Sequence, residues 1–199
     1  NKPFITESDR MIVPLYSDGF SFSLMAFTDN WGETWDFSNP LVGAGNIQAA
    51  IAQAENGDLV AYMRDNGPAP KRLHISRSTD NGMTWGPVRD SSLPNPGAAA
   101  DIVTLDSGDW ILINNDTEDG RHRLTVALSE DDGKTWSYEK IIELDQSDEP
   151  TTAHYPAIIQ ADDGSIHVTY SYHRPGSYAD ERKTIKYATF SPGWLKSSN

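Results

Sequence analysis

Three short phrases, 50 and 51 residues apart, constrain this chain more than anything else in it. Ser78-Thr79-Asp80-Asn81-Gly82-Met83-Thr84-Trp85 returns as Ser129-Glu130-Asp131-Asp132-Gly133-Lys134-Thr135-Trp136, and a looser copy, Thr28-Asp29-Asn30-Trp31-Gly32-Glu33-Thr34-Trp35, comes before both; the copies begin at 28, 78 and 129. A repeat of this length is one supersecondary unit, and units of four strands at this period make propeller blades. Each copy has a local physical sense. The hydroxyl and the Asp or Asn can bond nearby backbone N–H groups in a tight turn. The Gly accepts a positive φ, and the Trp three residues later can fold back to seal the blade edge. The copies therefore read as structural turns. A calcium loop of the helix–loop–helix kind would end in a bidentate Glu at fixed spacing, which none of them has.

A second repeat interleaves with the first. Asn46 to Met63 predicts two strands around an Asn56-Gly57 hairpin turn; Ala100 to Asn114 repeats the pattern around Ser107-Gly108, and Tyr155 to Tyr172 around Asp163-Gly164. Residues 4–16 are a weaker version turning near Asp9-Arg10. A third strand follows each pair, at Ser21–Thr28, Arg72–Ser78, Arg123–Ser129 and Thr184–Phe190. A fourth follows each Trp turn, most clearly at Ser137–Leu144. The fold expected is all-β: a β-propeller of four-stranded antiparallel blades, about four blades present, the last without its fourth strand. Residues 1–199 are expected to form a single, partial propeller domain, the C-terminal portion of a larger ring; a complete four-bladed ring is the alternative.

Composition limits the partners. With 16 Lys+Arg against 29 Asp+Glu, the net charge of −13 argues against nucleic acid and anionic membrane surfaces. An anionic ligand would need a local Arg cluster working against the global field. The chain has no Cys, and its five His lack metal-binding spacing, so neither thiolate chemistry nor a metal is expected. No cofactor motif is visible, and no apolar run would span a bilayer. Unclosed blade edges would offer a route to self-association.

In a strand meander alternate connections lie at opposite ends. The first-to-second hairpins and the Trp turns should share one face. Gln48, Arg64, Asp101, Asn115, Asp116, Arg121, His154, Tyr155 and His173 should share the other, where loops around a propeller axis make a natural ligand site. Arg64 and Arg121 stand at corresponding ends of neighbouring blades, an arrangement suited to a carboxylate.

These motifs carry a resemblance. With its Asp boxes, S-x-D-x-G-x-T-W, and the segments GNIQAAIAQAENGDLVAYMRDNGPAPKR, NNDTEDGRHRLTVALSEDDGKTW and HYPAIIQADDGSIHVTYSYHR, the chain resembles the sialidase superfamily, and within it the bacterial BNR-repeat proteins, over nearly its whole length. The resemblance implies part of a six-bladed propeller that binds the carboxylate of sialic acid with three Arg. Arg64 in LVAYMR matches the second and Arg121 in RHRLTV the third, with Arg123 as the other register. The first Arg and the acid/base Asp have no match here. Tyr155 matches the nucleophile. The Glu that activates this Tyr falls on Gln48, which can orient a phenol but cannot take its proton. Asp101 and Asp116 are the carboxylates on the same face that could substitute, and His154, beside Tyr155, is a further candidate for substrate contact.

The implied partner is an acidic sugar or sialoglycoconjugate. The implied activity is that of a retaining exo-α-sialidase-type glycoside hydrolase in the parent protein, with no turnover expected from residues 1–199 alone. The alternatives are a non-catalytic carbohydrate-binding propeller and a purely structural one. Localisation stays open, a secreted or periplasmic setting being what the resemblance suggests.

Overall fold

The computed structural model describes residues 1–175 and 183–197. Four antiparallel sheets follow one another along the chain, each a meander in sequence order. The first holds β1 (Phe4–Ile5), β2 (Met11–Ser17), β3 (Phe22–Thr28) and β4 (Asp36–Phe37); the second β5 (Asn46–Gln53), β6 (Leu59–Asp65), β7 (Arg72–Ser78) and β8 (Arg89–Pro94). The third holds β9 (Asp101–Thr104), β10 (Trp110–Asn114), β11 (Arg123–Ser129) and β12 (Tyr138–Leu144). The fourth has three strands, β13 (Thr152–Gln160), β14 (Ile166–His173) and β15 (Lys183–Phe190), followed by a short helix, α1 (Pro192–Lys196). The all-β blades and their turns are those the repeats predict. Gly57, Gly108 and Gly164 close the hairpins with φ of 86°, 89° and 81°.

The second strands of the two middle blades, β6 and β10, are covered by neighbouring blades on both faces, which is why they read as continuous apolar runs; β2 and β14 are partly exposed. All five residues of β10, WILIN, are buried, and Arg64 is the one residue of β6 that is not fully buried. Separate cores fill the gaps between blades. Ile12, Met25, Leu59 and Met63 join the first two blades; Tyr62, Leu73, Ile102 and Trp110 join the second and third. Ile113, Val126, Ile158 and Val168 join the third and fourth. The first strands β5, β9 and β13 pack side by side, as strands around an axis do.

The Asp boxes are closed hydrogen-bond circuits. Ser78 Oγ donates to Asp80 Oδ1 at 2.8 Å and accepts from Gly82 N at 2.9 Å, while Asp80 Oδ1 accepts from Thr84 N at 2.8 Å. Ser129, Asp131, Gly133 and Thr135 repeat the circuit at the same three distances. Thr28, Asn30, Gly32 and Thr34 reproduce it with an amide in place of the carboxylate. The residue before each Gly also has positive φ: Trp31 56°, Asn81 56° and Asp132 58°.

These turns stitch blades together. A Cβ on Gly82 would lie 2.6 Å from Ile12 of the preceding blade, and one on Gly133 would lie 2.3 Å from the hydroxyl of Tyr62. Trp85 is buried and donates from Nε1 to Gly82 O at 3.1 Å. Trp136 meets Tyr62 edge-on at 5.9 Å. Trp35, in the looser copy, is 41% exposed.

Candidate functional site

At the end of the blades opposite the Asp boxes, the first strands of the second and fourth blades carry the same irregularity. Pairing of β5 with β6 slips between Ile47 and Ala50, and pairing of β13 with β14 slips between His154 and Ala157. Gln48 and Tyr155 sit in these bulges with φ of 53° and 49°. A non-glycine residue in the left-handed region costs about 1–3 kcal/mol and persists where surrounding structure enforces it. A bulge also re-aims the side chain it carries.

Arg64 lies one residue before the end of β6. Its Nη1 donates to Gln48 Oε1 at 3.2 Å, and Gln48 Nε2 donates to the Tyr16 hydroxyl at 3.2 Å. Arg64 Nε is buried without a hydrogen-bond partner. The strand end is pinned by fully buried Asp65, which accepts from Gly67 N at 2.7 Å and Arg72 N at 3.1 Å.

Fully buried Asn95 then carries the structure across to the next blade. Its Oδ1 accepts from Asp65 N and Gly97 N, both at 3.2 Å, and from Ala98 N at 3.1 Å. The loop so formed presents Gly97 O to Arg121 Nη2 at 2.7 Å.

Arg121 stands in the loop before β11, and its carbonyl accepts from Ala153 N of β13 at 2.9 Å. Its Nη1 lies 2.6 Å from His154 Nδ1, and its guanidinium carbon lies 5.9 Å from the centre of the Tyr155 ring. Burial, and then the positive charge of Arg64, lower the pKa of Arg121 below its ordinary value, while Tyr155 acts in the opposite direction. Arg121 therefore lies within electrostatic reach of both Arg64 and Tyr155. Tyr155 itself is 53% exposed.

The two arginines differ from most others in the chain. Arg10 pairs with Asp29 at 2.7 Å, Arg72 with Glu118 at 2.6 Å and Arg77 with Asp58 at 3.2 Å. Among the described residues, Arg64 and Arg121 have no carboxylate within ion-pair distance; their recorded partners are Gln48, Gly97 and His154, all neutral acceptors.

The carboxylates singled out from the sequence are engaged by other partners. Asp101 Oδ2 takes Lys2 Nζ at 2.7 Å and Ile158 N at 3.0 Å. Lys2 also donates to Ile102 O and Ile158 O, so Asp101 anchors the chain start across blades. Asp116 pairs with Arg123 at 3.3 Å, and Arg123 reaches Glu139 at 2.5 Å. Arg123 is thus committed to carboxylates and Arg121 is not. No hydrogen bond joins Gln48 to Tyr155 among the described residues, and Gln48 serves Arg64 instead.

Two neighbours went unrecognised in the sequence as site residues. Tyr16 is the sixth residue of β2, as Arg64 is of β6; aligning the second strands of successive blades would have found it. His173 stacks on His154, ring centres 4.1 Å apart. It lay on the right face but offered no partner by spacing alone.

A family profile described as a BNR repeat-like domain matches residues 1–168. A sialidase of Micromonospora viridifaciens is 26% identical over 183 residues, 87% of this chain and 26% of that protein. The chain thus spans about a quarter of the length of this relative. The intramolecular trans-sialidase of Ruminococcus gnavus, solved in complex with oseltamivir carboxylate, superposes with a TM-score of 0.78 at 20% identity, over 99% of this chain and 44% of that one. A leech intramolecular trans-sialidase, complexed with 2,7-anhydro-Neu5Ac, gives a TM-score of 0.75 at 20% identity, over 96% of this chain and 30% of that one. Likeness at this identity concerns the fold: four blades that align with part of a sialidase propeller.

Proposed function

The chain belongs to the BNR repeat-like domain family, and from that premise we propose that its candidate site binds a terminal acidic sugar of the sialic acid type. Arg64 and Arg121 grip the carboxylate, and Tyr155 lies beneath the anomeric carbon. The observation that carries this reading is the pair of arginines held on neutral acceptors. Two guanidinium groups that repel each other, with no carboxylate paired to either among the described residues, leave their charge for an anion, and a carboxylate suits their fork of donors. That the relatives solved as complexes hold 2,7-anhydro-Neu5Ac and oseltamivir carboxylate supports the choice of ligand class.

Tyr155 is the nucleophile this chemistry would use. The anomeric carbon of a sialic acid bears the carboxylate itself, so a neutral phenol avoids the repulsion an anionic nucleophile would meet. As Tyr155 Oη bonds to the anomeric carbon, the glycosidic C–O bond breaks; the phenolic proton must pass to a base, and the leaving oxygen must receive a proton from an acid. Gln48 can do neither. Asp101 and Asp116 are engaged by Lys2 and Arg123. Residues 1–199 by themselves are therefore expected to bind without turnover. Gln48, bonded to Arg64 and Tyr16 in place of an activating Glu, favours a second reading, a non-catalytic binding propeller.

Titration calorimetry with N-acetylneuraminic acid and with its methyl ester tests the binding step. The acid should bind and the ester should lose most of the affinity, because it removes the charge the arginines hold. Equal binding of both would end the proposal. Release of a fluorogenic aglycone by residues 1–199 would overturn the expectation of binding alone.

A further inference from the structure

His154 is the least expected partner of the arginine pair. A guanidinium has only N–H donors and no acceptor. With Arg121 Nη1 at 2.6 Å, His154 Nδ1 must therefore be the acceptor. A neutral imidazole carries its single proton on the other nitrogen, and Nε2 lies 2.8 Å from Thr152 Oγ1, which can accept it. Both ring nitrogens are thus committed, one in each role. Protonation would put an N–H on Nδ1, facing another N–H across 2.6 Å, and a positive charge beside a positive charge.

We propose that His154 is a positioning residue: a neutral imidazole, its proton fixed on Nε2 by Thr152, that holds Arg121 in its anion-binding pose and lets go of it when protonated. The consequence for binding rests on the sugar-acid reading of the site; the tautomer and the pairing do not. The surroundings agree. Facing His154 are Arg121 from the loop before β11, His173 stacked on it from β14, Lys183 of β15, and Tyr155 and Thr152 of its own strand. No carboxylate is paired with it among the described residues. Burial first, and then the charges of Arg121, His173 and Lys183, push its pKa down to about 4. His173 is lowered too, by burial and then by Lys183 and Arg121, so the stacked pair is neutral at neutral pH. Arg64 completes the set through its effect on Arg121.

The pairing also replaces what a carboxylate would do. A carboxylate would hold Arg121 equally well but would cancel the charge the site uses. A neutral imidazole orients the guanidinium and leaves its charge whole. The device works only above the pKa of His154, so the anion site gains an acid limit set by a residue that need not touch the ligand.

Long-range nitrogen–proton correlation spectra of the full chain, labelled on histidine, read the tautomer directly. His154 should show a bare Nδ1 and a protonated Nε2 at pH 7, and should titrate well below an ordinary His near 6.5. In Arg121→Met its pKa should rise toward that ordinary value. A protonated Nδ1, or a pKa unmoved by Arg121→Met, overturns the proposal.

Binding of N-acetylneuraminic acid against pH, with tryptophan fluorescence reporting that the fold persists, is the second arm. Wild-type affinity should hold from pH 7 to about 5 and fall below that. His154→Leu should lose roughly tenfold at pH 7. His154→Asn, whose Oδ1 can accept where Nδ1 did, should recover most of that loss and abolish the acid fall. A His154→Leu variant that binds like wild type, or a His154→Asn variant that keeps the acid fall, contradicts the role. If wild type binds at no pH, the sugar-acid reading fails, and the spectra still decide the pairing.

Discussion

The two ends of the blades handle their polar groups in opposite ways. At the Asp-box end each octapeptide closes a circuit on itself, and bonds such as Glu55 N to Asp132 Oδ1 and Asn81 Nδ2 to Ser8 Oγ then tie it to the neighbouring blade. Ser, Asp, Gly and Thr of one octapeptide satisfy one another, and hydrogen bonds from Thr135 hold the Asp131 carboxyl down to about 2. At the opposite end the contacts are long-range. Arg121 is held by residues 24 and 33 positions away, and Arg64 by one 16 positions away. There the chain tolerates left-handed Gln48 and Tyr155, a buried Arg64 Nε without a partner and two like charges in reach of each other. Left-handed residues occur at both ends, in the turns before Gly32, Gly82 and Gly133 as well as at Gln48 and Tyr155. What sets the second end apart is a pair of arginines with no carboxylate partner among the described residues, and that supports a binding role for it.

If the Asp-box end serves stability alone, its substitutions should move stability and leave the site untouched. Trp85→Ala should cost about 3–5 kcal/mol, the range for an emptied aromatic site in a core. Trp35→Ala, half in solvent, should cost much less. Urea titrations measure both, and the folded fraction of either variant should bind N-acetylneuraminic acid as wild type does. A stable Trp85→Ala protein that no longer binds would dissolve the division between the two ends.

The converse holds for the arginines. Arg64→Ala or Arg121→Ala should weaken binding of the sugar acid by about 2–5 kcal/mol where the charge is desolvated, with little effect on the urea midpoint. Calorimetry beside denaturation separates the two. Loss of stability with binding intact would make them structural.

Acid should act on the two ends in different windows. His154 has a folded pKa of about 4, below its ordinary value near 6.5. The unfolded chain then binds more protons between those pH values, so this contribution to stability falls as pH drops from about 6.5 to about 4. Asp131 is also depressed, so its contribution is full above the ordinary carboxylate value near 3.9 and is lost as pH falls toward about 2. Urea midpoints against pH for wild type, His154→Asn and Asp131→Asn should show the upper window shrink in the first variant, with His173 keeping the remainder, and the lower one shrink in the second.

The smallest effect should be a gain. Trp31 takes a φ of 56° where the other two boxes place Asn81 and Asp132, and it is 68% exposed. Trp31→Asn should stabilise by a few tenths to about 1 kcal/mol, since Asn tolerates this conformation better. A loss would mean that Trp31 makes a contact worth more than its strain.

The fold was legible because its determinants are local. Octapeptide turns and glycine hairpins recur at a fixed period, and they place β7, β11 and most other strands within a residue or two. Arg64, Arg121, Tyr155, Gln48 and His154 could be assigned to one end from the meander alone. Their partners could not. Tyr16 reaches Gln48 across 32 residues, and Asn95 ties the ends of two blades through a loop that carries no motif. Asp101 illustrates the limit: strand parity puts it at the correct end, but only tertiary structure shows Lys2 occupying its carboxylate. Side-chain pairing across blades depends on the angle between sheets, which no spacing along one chain encodes.

The central claim is that Arg64 and Arg121 form one carboxylate-binding site. A crystal of this chain soaked with the 2,3-unsaturated 2-deoxy analogue of N-acetylneuraminic acid tests it most directly. The account predicts the carboxylate lying between the two guanidinium groups, with Tyr155 facing the C2 carbon and His154 still bonded to Arg121. A ligand bound elsewhere, or an empty site whose arginines remain on Gln48, Gly97 and His154 at saturating concentration, would contradict it.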